Sequence, residues 1–215
     1  MYVSKKHPAV AQEGWPYLAV VAIIVLTMII IGQHVLAAMC SLLLAASFFA
    51  YRDPERKIPP SPLGVVSPVD GHIRNIKVWK NELTQEEMQC VTIRLNILGV
   101  YSCRSPIEGK IVKQTHARRK ARLLEFYNWI QTDEGDNVLW NVKSRGFSRA
   151  RFYMAAGERL GQGQRCGFLP FFAKIDLYLP LHSTLNVNIG DKVVAGESVI
   201  AKIVHQTGAT IVSQS

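Results

Sequence analysis

A mainly β domain behind an N-terminal α-helical membrane hairpin is the fold class that three features of this 215-residue chain predict. Two charge-free apolar runs, residues 16–31 and 35–51, lie in tandem near the N-terminus. Stretches of alternating apolar and polar residues recur after residue 63, with the period of a half-buried strand. Turn residues repeat in the pattern Ser-Pro-x-acid-Gly-x-Ile, at residues 67–73 and again at 105–111. These features divide the chain into a membrane-anchoring hairpin (1–51), a proline-rich linker (52–62) and a β domain (63–215).

Each apolar run would form a helix of about 24 to 26 Å, slightly short of a hydrocarbon core of roughly 30 Å, which fits two short spans or a shallow hairpin. Only Gly32, Gln33 and His34 separate the runs, the place for a turn. Lys5, Lys6 and His7 precede the pair, while Arg52, Arg56 and Lys57 follow it. Basic residues at both ends put both in the cytoplasm, which a hairpin satisfies and a single span does not. The segment is too long for a cleaved signal peptide, and Trp15, Tyr17 and Tyr51 are placed to anchor at headgroup depth. The formal net charge of +9 admits an anionic bilayer or a nucleic acid as partner. The hairpin selects the bilayer, and no nucleic acid is expected. Cys40, Cys90, Cys103 and Cys166 lie far apart without metal-ligand spacing, so neither a metal site nor a disulfide framework is expected.

Residues 52–62 hold Pro54, Pro59, Pro60 and Pro62, a stiff exit whose Arg52 and Arg56 are candidates to meet lipid phosphates. Each copy of the repeat brackets an acid, Asp70 or Glu108, between a proline and a glycine, the chemistry of a hairpin corner. A third turn at residues 188–197 (NIGDKVVAGE) resembles the corner of biotinyl and lipoyl carrier domains, which implies a hammerhead barrel-sandwich. Lys192 there lies outside the carrier pattern of a lysine between two methionines. Residues 80–90 are polar and predict a loop, 91–98 predict a strand, and 133–137 predict an acidic turn before a strand at 138–142. The run HARRKAR at 116–122 supplies Arg118, Arg119, Lys120 and Arg122, either a second set of lipid-binding cations or a solvated face. Residues 171–180 (FFAKIDLYLP) alternate, with positions 171, 173, 175, 177 and 179 apolar, and predict the central strand.

That strand, taken in order with residues 13–16 (EGWP), 49–56 (FAYRDPER), 67–71, 104–109, 156–160 (AGERL) and 190–201 (GDKVVAGESVIA), resembles the phosphatidylserine decarboxylases of the short bacterial and archaeal type. The resemblance implies a membrane enzyme of phosphatidylethanolamine synthesis that makes its own cofactor. In the family, the serine of a Phe-Gly-Ser-Arg segment attacks the preceding carbonyl, the chain is cut there, and a pyruvoyl ketone remains. That ketone captures the amine of phosphatidylserine and serves as electron sink when carbon dioxide leaves. Here Phe172 stands in the glycine's place and Ala173 in the serine's. The aspartate of the family's first turn is retained as Asp70, whereas Tyr101 stands where the family has a histidine. A phenol of ordinary pKa near 10 is a poor proton carrier at neutral pH. The family's downstream Asn-Glu-Arg has no clear counterpart at residues 125–128 (EFYN).

With these changes the resemblance implies a catalytically inactive relative, with no pyruvoyl group or other cofactor. It would bind anionic phospholipid at a bacterial or archaeal cell membrane, with the β domain in the cytoplasm. Its protein partners would be further copies of itself or an active family member in a mixed oligomer. Two alternatives stay open: an active decarboxylase with a displaced processing site, for which Cys166 and Ser183 are the nearest nucleophiles, and a membrane-tethered binding or assembly domain.

Overall fold

The computed structural model describes residues 10–61, 63–80, 86–115, 118–120, 123–145, 150–169 and 171–204. The two apolar runs form α1 (Trp15–Ile30) and α2 (His34–Ala50), joined by a turn in which Gly32 takes a left-handed φ of 82°. Among their residues only Ala37 is buried, so the helices present apolar side chains outward nearly all round. Thr27 and Ser41 donate their hydroxyls to the carbonyls of Ile23 and Ala37, both at 2.8 Å, which satisfies those two hydroxyls within their own helices. With the 3-10 turn that precedes it, α1 is long and apolar enough to cross a membrane by length and composition; α2 is shorter. The hairpin closes at its base, where Ala11 N–H donates to the Tyr51 carbonyl at 2.8 Å.

The remaining described chain is mainly strand: β1 (Gly64–Val66), β2 (Gly71–Lys80), β3 (Glu87–Leu95), β4 (Ser102–Arg104), β5 (Gly109–Gln114), β6 (Arg118–Lys120), β7 (Leu123–Gln131) and β8 (Asn137–Arg145), then β9 (Arg151–Phe152), β10 (Arg159–Leu160), β11 (Arg165–Phe168), β12 (Lys174–Pro180), β13 (Ser183–Leu185), β14 (Lys192–Val193) and β15 (Val199–Ile203). A nine-stranded antiparallel sheet runs β10-β5-β7-β8-β12-β3-β2-β14, with β6 added to β7. Two three-stranded sheets, β1-β15-β13 and β4-β11-β9, accompany it. Its inward face carries Ile73, Val91, Ile93, Ile130, Trp140, Val142, Ile175, Leu177 and Leu179, all buried in one core.

Three expectations are corrected by the backbone. The ends of the loop predicted at residues 80–90 are paired strand, since Lys80 closes β2 opposite Glu87 and residues 87–90 belong to β3; residues 81–85 lie outside the described residues. The polar composition there belongs to the outward face and end of a sheet, which periodicity over so short a window does not reveal. The strand predicted from residue 171 begins instead at Lys174, because Phe172 has φ 63° and breaks the extended backbone. Its second face is also covered: Asp176 accepts from Thr92 Oγ1 at 2.8 Å and meets Lys143 Nζ at 2.7 Å.

The repeated turns are the third correction. They are corners between sheets, not hairpins, because β1 pairs with β15 while β2 pairs with β3 and β14, and β4 pairs with β11 while β5 pairs with β7 and β10. The two corners grip each other reciprocally. Val66 N–H donates to the Pro106 carbonyl at 2.8 Å, and Arg104 N–H to the Pro68 carbonyl at 2.9 Å. Within each, the serine hydroxyl donates two residues on, Ser67 to Val69 O and Ser105 to Ile107 O, both at 2.7 Å.

Candidate functional site

The site is built on the segment between β3 and β4, which contains Tyr101 and hydrogen-bonds to Asp70. Asn96 N–H donates to the Asp70 carbonyl at 3.0 Å, and Leu95 N–H to the Ala173 carbonyl at 3.3 Å. Residues distant in the chain thereby converge on residues 95–101. Asp70 is fully engaged: Oδ1 accepts from Ala195 N–H at 2.8 Å, and Oδ2 accepts from Val100 N–H at 3.0 Å and from Arg56 at 2.9 Å. Asp70 and Arg56 side chains are only 15% and 13% exposed, so the pair is charge-assisted and largely shielded from water.

Tyr101 is buried and gives its phenolic hydrogen to the Ile97 carbonyl, closing the segment on itself. Burial pushes its phenol above the ordinary range, opposed by the charge of Arg52. Its ring lies 4.5 Å from that of Phe171 and 6.4 Å from that of Phe168. Phe168 stacks on Tyr51 at 5.6 Å, and Tyr51 on Tyr17 at 6.0 Å, so a column of rings joins the altered site to the hairpin base.

Among the described residues, Phe172 is the one non-glycine in the left-handed region. For an L-residue with a β-carbon that conformation costs roughly 1–2 kcal/mol. Its ring stands exposed and, among the described residues, belongs to neither core cluster. Ala173 next to it is fully buried and belongs to the core cluster.

Beside Asp70 opens a cavity of about 260 Å³ lined by Arg52, Arg56, Asn96, Leu98 and Lys192. Three cations and one engaged carboxylate leave it net positive. Arg52 bridges the two parts of the molecule, donating to Phe49 O at 3.1 Å and to Leu98 O at 2.8 Å. Of the basic run, Arg118, Arg119 and Lys120 form β6 at the edge of β7, apart from this cavity. Arg122 lies outside the described residues.

Sequence reasoning passed over a buried four-charge clamp. Arg165 meets Glu13 and Asp53, each at 3.1 Å, and Arg104 meets Asp53 at 3.3 Å. Glu13 precedes α1 and Asp53 follows α2, while Arg104 and Arg165 oppose each other across β4 and β11. All four side chains are less than a tenth exposed, so removing one would leave an unpaired buried charge at a cost of about 3–5 kcal/mol. Isolated charges 40 or more residues apart carry no sequence signal of such a meeting.

The sequence profile of the phosphatidylserine decarboxylase family matches residues 43–201. The chain is similar to the phosphatidylserine decarboxylase proenzymes of Burkholderia multivorans and Burkholderia cenocepacia, each 35% identical over 209 residues that cover 92% of this chain and 97% of the relative. The corresponding proenzyme of Burkholderia vietnamiensis is 36% identical over the same shares. No solved structure matches the chain.

Proposed function

The chain belongs to the phosphatidylserine decarboxylase family, and we propose that within it this protein is a non-catalytic, membrane-anchored member that binds anionic phospholipid. One observation carries the first half of the reading. At the position of the family's reactive serine, Ala173 offers a fully buried methyl group and no hydroxyl. No ester can form from it, so the residues do not fit a pyruvoyl group. Two further changes support this. Phe172 puts a bulky side chain beside the carbonyl that would be attacked, and Tyr101 holds its hydroxyl on Ile97 instead of serving as a base.

The second half rests on what remains. The cavity lined by Arg52, Arg56 and Lys192 opens beside the end of α2, where a phospholipid phosphate would meet three cations. The apolar outward surfaces of α1 and α2 support insertion in the cell membrane, and the clamp keeps both hairpin ends on the side of the β domain. A barrel-sandwich arrangement of the β domain is part of the same proposal, supported by the paired left-handed glycines Gly190 and Gly196 at its third corner.

The test is intact mass together with activity. The purified chain is expected to run as one polypeptide of 24.0 kDa and to release no labelled carbon dioxide from phosphatidylserine. Two fragments with a blocked new N-terminus, or carbon dioxide release absent from a mock purification, would refute the reading. Vesicle binding that ignores anionic lipid would refute its second half alone.

A further inference from the structure

One transverse row of the large sheet is almost entirely basic. Lys192 on β14 opposes His72 on β2, His72 opposes Arg94 on β3, and Arg94 opposes Lys174 on β12. Lys174 in turn opposes Lys143 on β8, Lys143 opposes Glu125 on β7, and Glu125 opposes Arg118 on β6. Directly opposed residues of antiparallel strands share a face, so positions on seven strands line one belt of about 29 Å at roughly 4.8 Å per strand. Lys143 is taken up by Asp176. Among the described residues, Arg94, Lys174 and Lys192 are exposed and paired with no carboxylate.

Just beyond this row, at the same end of the sheet, two connections present exposed apolar side chains. Ile97 and Leu98 are 61% and 68% exposed, and Phe171 and Phe172 are 44% and 70% exposed. Phe171 rests on Tyr101, whose hydroxyl holds Ile97, so the two connections form one patch. The patch continues the hairpin: Arg52, directly after α2, holds the Leu98 carbonyl and lies with its guanidinium 3.6 Å from the Phe49 ring centroid.

We propose that the end of the β domain bearing Ile97, Leu98, Phe171 and Phe172 seats on an anionic bilayer, with the apolar side chains at the acyl boundary and the Lys192–His72–Arg94–Lys174 row on lipid phosphates. This inference rests on the membrane reading above. Apolar tips backed by a belt of cations match the two layers of an anionic membrane surface, first phosphate and then hydrocarbon, in the order the docked domain would meet them. A nucleic acid would use the cations and leave the apolar tips in water. The exposed, left-handed Phe172 belongs to no core cluster among the described residues, and the acyl boundary would give its ring a place.

The experiment uses the full chain in vesicles of phosphatidylglycerol and phosphatidylcholine, with an environment-sensitive fluorophore on one cysteine at a time. Phe172→Cys and Glu134→Cys are labelled in a Cys40→Ser background, and native Cys40 reports on the hairpin; the other three cysteines are buried. Glu134 lies in the turn between β7 and β8, at the far end of the sheet, where Leu139 is level with Tyr178. Lipids brominated in the acyl chain are expected to quench the label at 172 several-fold more than the label at 134. Arg94→Gln, Lys174→Gln and Lys192→Gln together should remove most of that difference. Equal quenching at 172 and 134 while Cys40 is quenched overturns the seating and leaves the membrane reading intact. No quenching at Cys40 overturns the membrane reading itself. A blue shift at 172 that follows protein concentration and not lipid assigns the patch to a second copy, and one that follows added duplex RNA assigns the row to nucleic acid; either overturns the proposal.

Discussion

The corners at residues 67–73 and 105–111 are alike in everything that builds the fold and different in what they do with their acid. Each begins with a serine that caps its own turn, each accepts the other's backbone N–H, and each starts a long strand with a glycine pressed against a neighbouring carbonyl. Asp70 turns inward onto two backbone N–H groups and Arg56. Glu108 stays half-exposed and meets Arg159, itself at the surface. The comparison teaches that Ser, Pro, Gly and Ile of the motif specify architecture, while the acid is free to turn inward in one copy and outward in the other.

The largest effect should come from what the corners share. A β-carbon at Gly71 would sit 2.3 Å from the Arg94 carbonyl oxygen, and one at Gly109 would sit 2.3 Å from that of Gln131. Neither backbone can yield without shifting a strand, so Gly71→Ala and Gly109→Ala should each cost about 2–3 kcal/mol. Thermal unfolding in detergent should show two similar losses; a clear inequality would break the equivalence of the corners.

Next comes what they do not share. Asp70→Ala strands Arg56 and two backbone N–H groups and is expected to cost about 2 kcal/mol. Glu108→Ala should leave the unfolding temperature unchanged, since an exposed ion pair contributes little. Equal sensitivity at the two acids would remove the assignment of Asp70 to the site.

A smaller change of opposite sign is expected at Phe172. Replacement by glycine relieves the left-handed strain and should raise stability by up to about 1 kcal/mol, after allowance for the greater freedom of the unfolded glycine chain. Ala173→Ser alone should produce no self-cleavage on a denaturing gel, because Phe172 and Tyr101 still differ from the family pattern and groups that act together do not contribute additively. Joining Tyr101→His, Phe172→Gly and Ala173→Ser is the combination expected to restore slow cleavage if Asp70 still holds family geometry.

Much of this was legible in sequence for physical reasons that can be named. The hairpin announces itself by apolar length, and the central strand by the alternation of Ile175, Leu177 and Leu179. The repeat is visible as a motif, yet its role as an inter-sheet corner is not, because the partners of β1 and β4, β15 and β11, lie far downstream in the chain. Asp70, Tyr101, Phe172 and Ala173 could be aligned to a family pattern, but their meeting on residues 95–101 depends on the pairing of β12 with β3. The clamp and the basic row were hidden for the same reason: Lys192, His72, Arg94 and Lys174 are isolated charges until register lines them up.

The clamp is also a clock. Its two acids, at positions 13 and 53, are made long before the arginines at 104 and 165 that neutralise them. At a synthesis rate of roughly 5–20 residues per second, about 6 to 22 s separate the appearance of Asp53 from that of Arg165. Until Arg104 is made the mouth of the hairpin carries two carboxylates and neither arginine partner, and Glu13 waits for Arg165 to the end of the interval, so a nascent chain halted in that window would hold an incomplete clamp. Completion of the clamp therefore waits for the arginine of β11, the last of the four charges to be translated.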